Sequence, residues 1–102
     1  MSILIDRGTR ILVQGITGGQ AQTDTERALR YGARIVAGVT PGRGGEAVHG
    51  VPVFDTVAAA QRNHPADASI VYTPPLAVRD AVLEAIDSAV PLIVVTAEGV
   101  PL

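Results

Sequence analysis

The chain of 102 residues contains no cysteine, no lysine and no tryptophan. Without cysteine there are no disulfides, thiolate metal ligands or cysteine nucleophiles. Without lysine, Schiff-base chemistry and a lysine reaching nucleotide phosphates are excluded. All eight basic residues are arginine, against ten acidic ones, giving a net charge of −2. No basic stripe marks a nucleic-acid binder. Only Tyr31, Phe54 and Tyr72 are aromatic, so Val, Ile, Leu and Ala must build the core. No apolar run approaches a membrane span. The opening Met1-Ser2-Ile3-Leu4-Ile5-Asp6-Arg7 lacks the basic n-region and long apolar stretch of a signal peptide. A cytoplasmic location is compatible with these features.

Hydrophobic residues make up 47% and charged residues 18%, a globular composition sized for one domain, residues 1–102. Four short aliphatic runs recur at βαβ spacing: Ile11-Leu12-Val13, Ile35-Val36-Ala37, Ile70-Val71-Tyr72 and Leu92-Ile93-Val94-Val95. Such continuous runs suit parallel strands buried on both faces. A fifth strand within residues 2–5 is a weaker expectation. Helices are expected over 20–31, stopped by Gly32, over 56–63 with Asp55 as N-cap, and over 76–88 behind Pro74-Pro75. In the last, Val78, Val82, Leu83 and Ile86 are predicted to share the core face. Residues 39–50, rich in Gly and Pro, read as a long loop, a length that usually serves function. The fold expected is α/β: a Rossmann-like three-layer structure, with a parallel sheet of about four to five strands and helices on both faces.

Ligands of such folds bind beyond the carboxyl ends of the strands. After the first strand comes Gly15-Ile16-Thr17-Gly18-Gly19-Gln20-Ala21. Glycines there permit a tight turn, and the following helix presents free N–H groups to an anion, normally a phosphate. Glycine turns also arise for steric reasons alone, so the motif by itself is a weak signal. The second strand runs into Gly38-Val39-Thr40-Pro41-Gly42-Arg43-Gly44-Gly45, with no carboxylate before Glu46. A dinucleotide site usually places Asp or Glu there for the ribose, which counts against NAD. Arg43, on its flexible loop, suits an anionic phosphate.

These blocks, followed by Gly50-Val51-Pro52-Val53-Phe54, Ile70-Val71-Tyr72-Thr73-Pro74-Pro75, Leu83-Glu84-Ala85-Ile86-Asp87 and Thr96-Ala97-Glu98-Gly99-Val100-Pro101, resemble the N-terminal CoA-binding domain of the succinate–CoA ligase alpha subunit. The resemblance covers essentially the whole chain. It implies that coenzyme A binds in extended form, with Thr17, Gly18, Gly19 and Gln20 at the first turn. By the same resemblance Thr96, Ala97 and Glu98 stand near the reactive end, and Thr73 and Pro74 along the wall between. Arg43 stands where the family usually has Lys, and Gly19 and Ala21 replace a frequent Ser and Gly.

The family further implies an NDP-forming ligase of the tricarboxylic acid cycle with a beta subunit as partner. There a phosphohistidine relays phosphate to a carboxylate, and the CoA thiol attacks the acyl phosphate. Neither His49 nor His64 matches that histidine, so no catalytic or metal-binding residue is expected in this chain, and alone it is expected to be inactive. The end at Leu102 reads as a cut at a domain edge, which predicts self-association. Two alternatives stay open: a stand-alone module for CoA or another adenine nucleotide, and an NAD-binding Rossmann domain.

Overall fold

A computed structural model describes residues 8–96. Six strands form one sheet: β1 (Arg10–Gln14), β2 (Arg34–Val39), β3 (Ala47–Val48), β4 (Val51–Phe54), β5 (Ala68–Val71) and β6 (Leu92–Val95). Their order is β3-β4-β2-β1-β5-β6, parallel throughout except for the antiparallel β3–β4 pair. Three helices complete the fold: α1 (Gly19–Arg30), α2 (Val57–Asn63) and α3 (Val78–Asp87), the last behind a 3-10 turn at Pro75–Ala77. The suggested strand at 2–5 lies outside the described residues.

Alternation along β1 divides the core. Ile11 and Val13 pack with Ile16, Ala21 and the α1 residues Ala28 and Leu29. Leu12 faces the other side, with Val57, Ala60 and Ala85 from α2 and α3. Residues 21, 25, 28 and 29 fall on one helical face, as helical periodicity requires. The three layers are therefore α1, the sheet, and the α2–α3 pair. In β2 the register slips, so that Ile11 pairs with Ile35 but Leu12 with Ala37. The extra residue, Val36, makes Ile35 and Ala37 face opposite sides despite their spacing of two.

The 39–50 segment is more ordered than its Gly and Pro content predicts. Its end is the β3–β4 hairpin, closed by His49 (φ 50°) and Gly50 (φ 83°), the doubly left-handed turn that matches strand twist. The sheet thus contains two strands, β3 and β4, where the sequence predicts loop and flank.

Two further expectations are corrected. Thr56, not Asp55, caps α2: its hydroxyl accepts from the Ala59 N–H at 3.1 Å. On α3 the buried residues are Ala81 and Ala85, while Leu83 and Ile86 are 46% and 55% exposed. Small side chains let the helix settle close to the sheet, which turns the larger ones outward.

At the amino end of β1, Asp67 accepts three hydrogen bonds from Arg10, through its backbone N–H (2.9 Å) and guanidinium (3.2 and 3.0 Å). The guanidinium bond first, and then the backbone N–H, hold the Asp67 carboxyl down at about 2.

Candidate functional site

The chain leaves β1, crosses through α1 to β2 and β4, and then returns over α2 to β5 on the other side of β1. The strand order reverses between β1 and β5. Their carboxyl ends diverge there, where a doubly wound sheet opens a crevice. A cleft of about 620 Å³ occupies this place, lined by Gly15, Thr17 and Gly18 on one side, Tyr72 to Pro75 on another, and Thr40 and Pro41 on a third.

The turn after β1 is held by its backbone. Gly15 adopts φ +84°, its N–H donates to the Val39 carbonyl at 2.7 Å, and its carbonyl accepts from Gly18 N–H at 3.1 Å. A Cβ at Gly15 would stand 3.1 Å from the Tyr72 carbonyl carbon and oxygen. Glycine here answers two demands at once, a left-handed φ and the close passage of β5. Ile16 then turns inward, fully buried, over Gly38, where a Cβ would lie 2.5 Å from the Ile16 side chain.

Gly18 is the N-cap of α1 and brings no capping side chain. The first N–H groups of a helix have no partner within it, and these open beside the cleft wall. Thr17 donates its hydroxyl to Thr40 Oγ1 at 3.2 Å, joining the first turn to the end of β2. Gln22 Nε2 donates to the Thr17 carbonyl at 2.7 Å. On the far wall, the buried Thr73 hydroxyl has no hydrogen-bond partner. An uncompensated buried hydroxyl is costly unless a ligand or water supplies its partner. Behind it, a hollow of about 170 Å³ shares Gly15, Pro41, Thr73 and Ala77 with the cleft and reaches Asp80 and Glu84. Its floor includes Gln14, whose buried amide donates to the Ala81 carbonyl (2.9 Å) and accepts from Ser69 Oγ (2.7 Å). Glu84 accepts from the Val57 N–H at 2.7 Å, so this carboxylate secures the start of α2.

Among the residues predicted from sequence, Thr17, Gly18, Thr73 and Pro74 meet at the cleft. Gly19 and Gln20 begin α1 just behind it, and the Gln20 amide is turned to Asp24 at 2.8 Å. Arg43 does not line the cleft; its Nε donates to Glu46 at 3.1 Å. Thr96 also stands off the wall, with its N–H and hydroxyl both on the Val71 carbonyl. Ala97 and Glu98 lie outside the described residues. Sequence reasoning missed Thr40 as a partner of Thr17, and Tyr72, whose hydroxyl donates to Asp24 at 2.7 Å. A threonine where dinucleotide folds place an acid was the available signal for the first. The tyrosine offered none beyond its place at a strand end.

His49 sits in the hairpin turn, and His64 at the end of α2, its ring 5.9 Å from that of Phe54. Among the described residues no group of three or more His, Cys, Asp or Glu side chains is arranged to hold a metal.

Comparison with solved structures gives a Rex-family repressor at TM-score 0.73 and 15% identity, over 92% of this chain and 48% of that one. The same repressor in complex with beta-NADH gives 0.72. At this identity the likeness establishes the Rossmann-like fold alone. Among curated proteins, the chain is 50% identical over 101 residues to the Archaeoglobus fulgidus succinate–CoA ligase [ADP-forming] subunit alpha 2. It is 46% identical over 101 residues to the Staphylococcus aureus alpha subunit. The matches cover 99% of this chain but 35% and 33% of those relatives, so the chain spans about a third of their length. The CoA binding domain family matches residues 6–99, and with that span, this fold and a cleft at the strand reversal, the chain belongs to the CoA binding domain family.

Proposed function

We propose that the chain binds coenzyme A in the cleft between the ends of β1 and β5, as the CoA-binding module of an NDP-forming acid–CoA ligase of the succinate–CoA ligase type. The observation that carries this reading is the Gly15–Gly18 turn. It brings an uncapped helix start to the wall of the cleft, which suits the pyrophosphate of a nucleotide. Thr17, Gly18, Gly19 and Gln20 are assigned to that phosphate end. Thr73 offers its unpartnered hydroxyl along the wall, with Pro74 beside it. Arg43 is assigned to a further phosphate, which requires it to leave Glu46. Thr96, Ala97 and Glu98 are assigned to the thiol end. Ligation itself, its phosphohistidine, a beta subunit and a cytoplasmic setting are proposed for a longer assembly of the kind its relatives' length suggests.

The test is calorimetric titration with coenzyme A, 3'-dephospho-CoA and NAD, repeated on Arg43→Ala. Coenzyme A is expected to bind, NAD to fail, and Arg43→Ala to weaken binding by about tenfold, as loss of one charge-assisted phosphate contact implies. A second reading, NAD binding, takes support from the likeness to a repressor solved with beta-NADH. Against it stands Thr40 at the end of β2, bonded to Thr17 instead of offering a carboxylate to ribose. NAD binding without coenzyme A binding would replace the first reading by the second.

A further inference from the structure

The loop that carries Arg43 is held by a carboxylate that takes no part in capping the helix beside it. Asp55 Oδ1 accepts from Gly42 N–H and from Gly44 N–H, both at 2.9 Å. Thr56 supplies the cap of α2, and the Asp55 carboxylate bonds to the loop instead. Gly44 fits this arrangement closely: a Cβ there would stand 2.7 Å from Asp55 Oδ2. The rest of the loop is bonded along its backbone, with Thr40 N–H on the Phe54 carbonyl and Gly45 N–H on the Val53 carbonyl, both 3.0 Å. Arg43 N–H donates to the Thr40 carbonyl, also at 3.0 Å. Arg43 thus sits between two amides fixed by one oxygen, with its side chain on Glu46.

Successive backbone N–H groups converging on one point make a nest for an anion. Here the anion is the protein's own. The amides of Gly42 and Gly44 are occupied, which leaves the Arg43 guanidinium as the cation this loop can offer a ligand. We infer that Asp55 is a positioning residue for the nucleotide site: it pre-sets the backbone of the 40–45 loop, so that Arg43, once it exchanges Glu46 for a ligand phosphate, needs no further ordering of the loop. This rests on the coenzyme A reading above. A loop already ordered in the free protein spares the binding step that entropy.

The test compares Asp55→Ala, Asp55→Asn and Gly44→Ala in the 102-residue chain, by coenzyme A titration and amide hydrogen exchange. Asp55→Ala is expected to weaken coenzyme A binding by about tenfold and to speed exchange at Gly42 and Gly44, leaving the β1 and β5 amides protected. Asp55→Asn keeps the accepting oxygen and is expected within about threefold of the parent. Gly44→Ala is expected to weaken binding in the parent, where its methyl meets the carboxylate, and to add nothing in the Asp55→Ala background. In an Arg43→Ala background, Asp55→Ala should cost little further affinity. Equal losses with and without Arg43, or unchanged binding in Asp55→Ala, would overturn the inference while leaving the coenzyme A reading standing. A folded parent chain that does not bind coenzyme A would overturn both.

Discussion

At the scale of single residues, the ends of the strands are specialised in opposite ways. The amino ends hold the Arg10–Asp67 pair, which has one backbone and two guanidinium bonds on a single carboxylate. The carboxyl ends hold Gly15, Thr17, Thr40 and Thr73, all uncharged, around a cleft. Asp67 titrates at about 2, below the ordinary carboxylate value of 3.8. Its contribution to stability is therefore complete above pH 4 and lost as the pH falls from there toward 2. Asp67→Asn is expected to be less stable than the parent at neutral pH, with the gap closing over that window. Urea unfolding at pH 7, 4 and 2.5 measures it; a gap that stays constant would mean the carboxylate charge is not the source. Coenzyme A affinity at pH 7 should be unchanged, since the pair lies at the other end of the sheet.

At the scale of elements, two helices end in the same geometry with different residues. After α1, Gly32 takes φ +89°, and Ala33 N–H reaches back to the Ala28 carbonyl. After α3, Ala89 takes φ +62°, and Val90 N–H reaches back to the Ala85 carbonyl. Both are left-handed helix stops, which favour glycine. An alanine there bears a steric cost of about 1 kcal/mol. Ala89→Gly is accordingly expected to stabilise the chain by about that amount, raising the melting temperature by roughly 4–8 °C for a domain of this size. Calorimetry decides it, and a lower melting temperature would show that unfolded-state entropy outweighs the strain.

The same scale shows how far the sequence could be read. The three helices and four main strands were legible because their patterns are local: aliphatic runs between turn residues. The β3–β4 hairpin was not, since two-residue β3 has no periodicity and Pro52 weakens the look of a strand. The buried face of α3 is not legible from hydrophobic size, because its larger side chains Leu83 and Ile86 face outward. Ala81 and Ala85 pack inward, and Gln14 beneath them reaches the Ala81 carbonyl. At the site, glycines and threonines were visible as residue types. The bonds joining Thr17 to Thr40 and Asp55 to the Arg43 loop link residues 23 and 11 to 13 positions apart. No spacing rule announces such pairs.

At the scale of the whole molecule, the surfaces of the outer layers are unequal. Leu83 and Ile86 on α3 and Val94 and Val95 on β6 are exposed, and β6 is the last strand of the sheet on its side among the described residues. Apolar exposure beside a sheet edge favours association. The 102-residue chain is expected to self-associate as its concentration rises, and Ile86→Glu to restore a monomer by light scattering. A strictly monomeric parent at millimolar concentration would refute it.

Tyr72 gives the molecule an optical property. The chain has no tryptophan and two tyrosines. Tyr31 is 75% exposed at the end of α1. Tyr72 borders the cleft with its hydroxyl on the Asp24 carboxylate. Tyrosine emission would thus come from one fluorophore in solvent and one at the cleft wall. In Tyr31→Phe the remaining signal would belong to Tyr72 alone, making the wall of the cleft its own label-free reporter of occupancy.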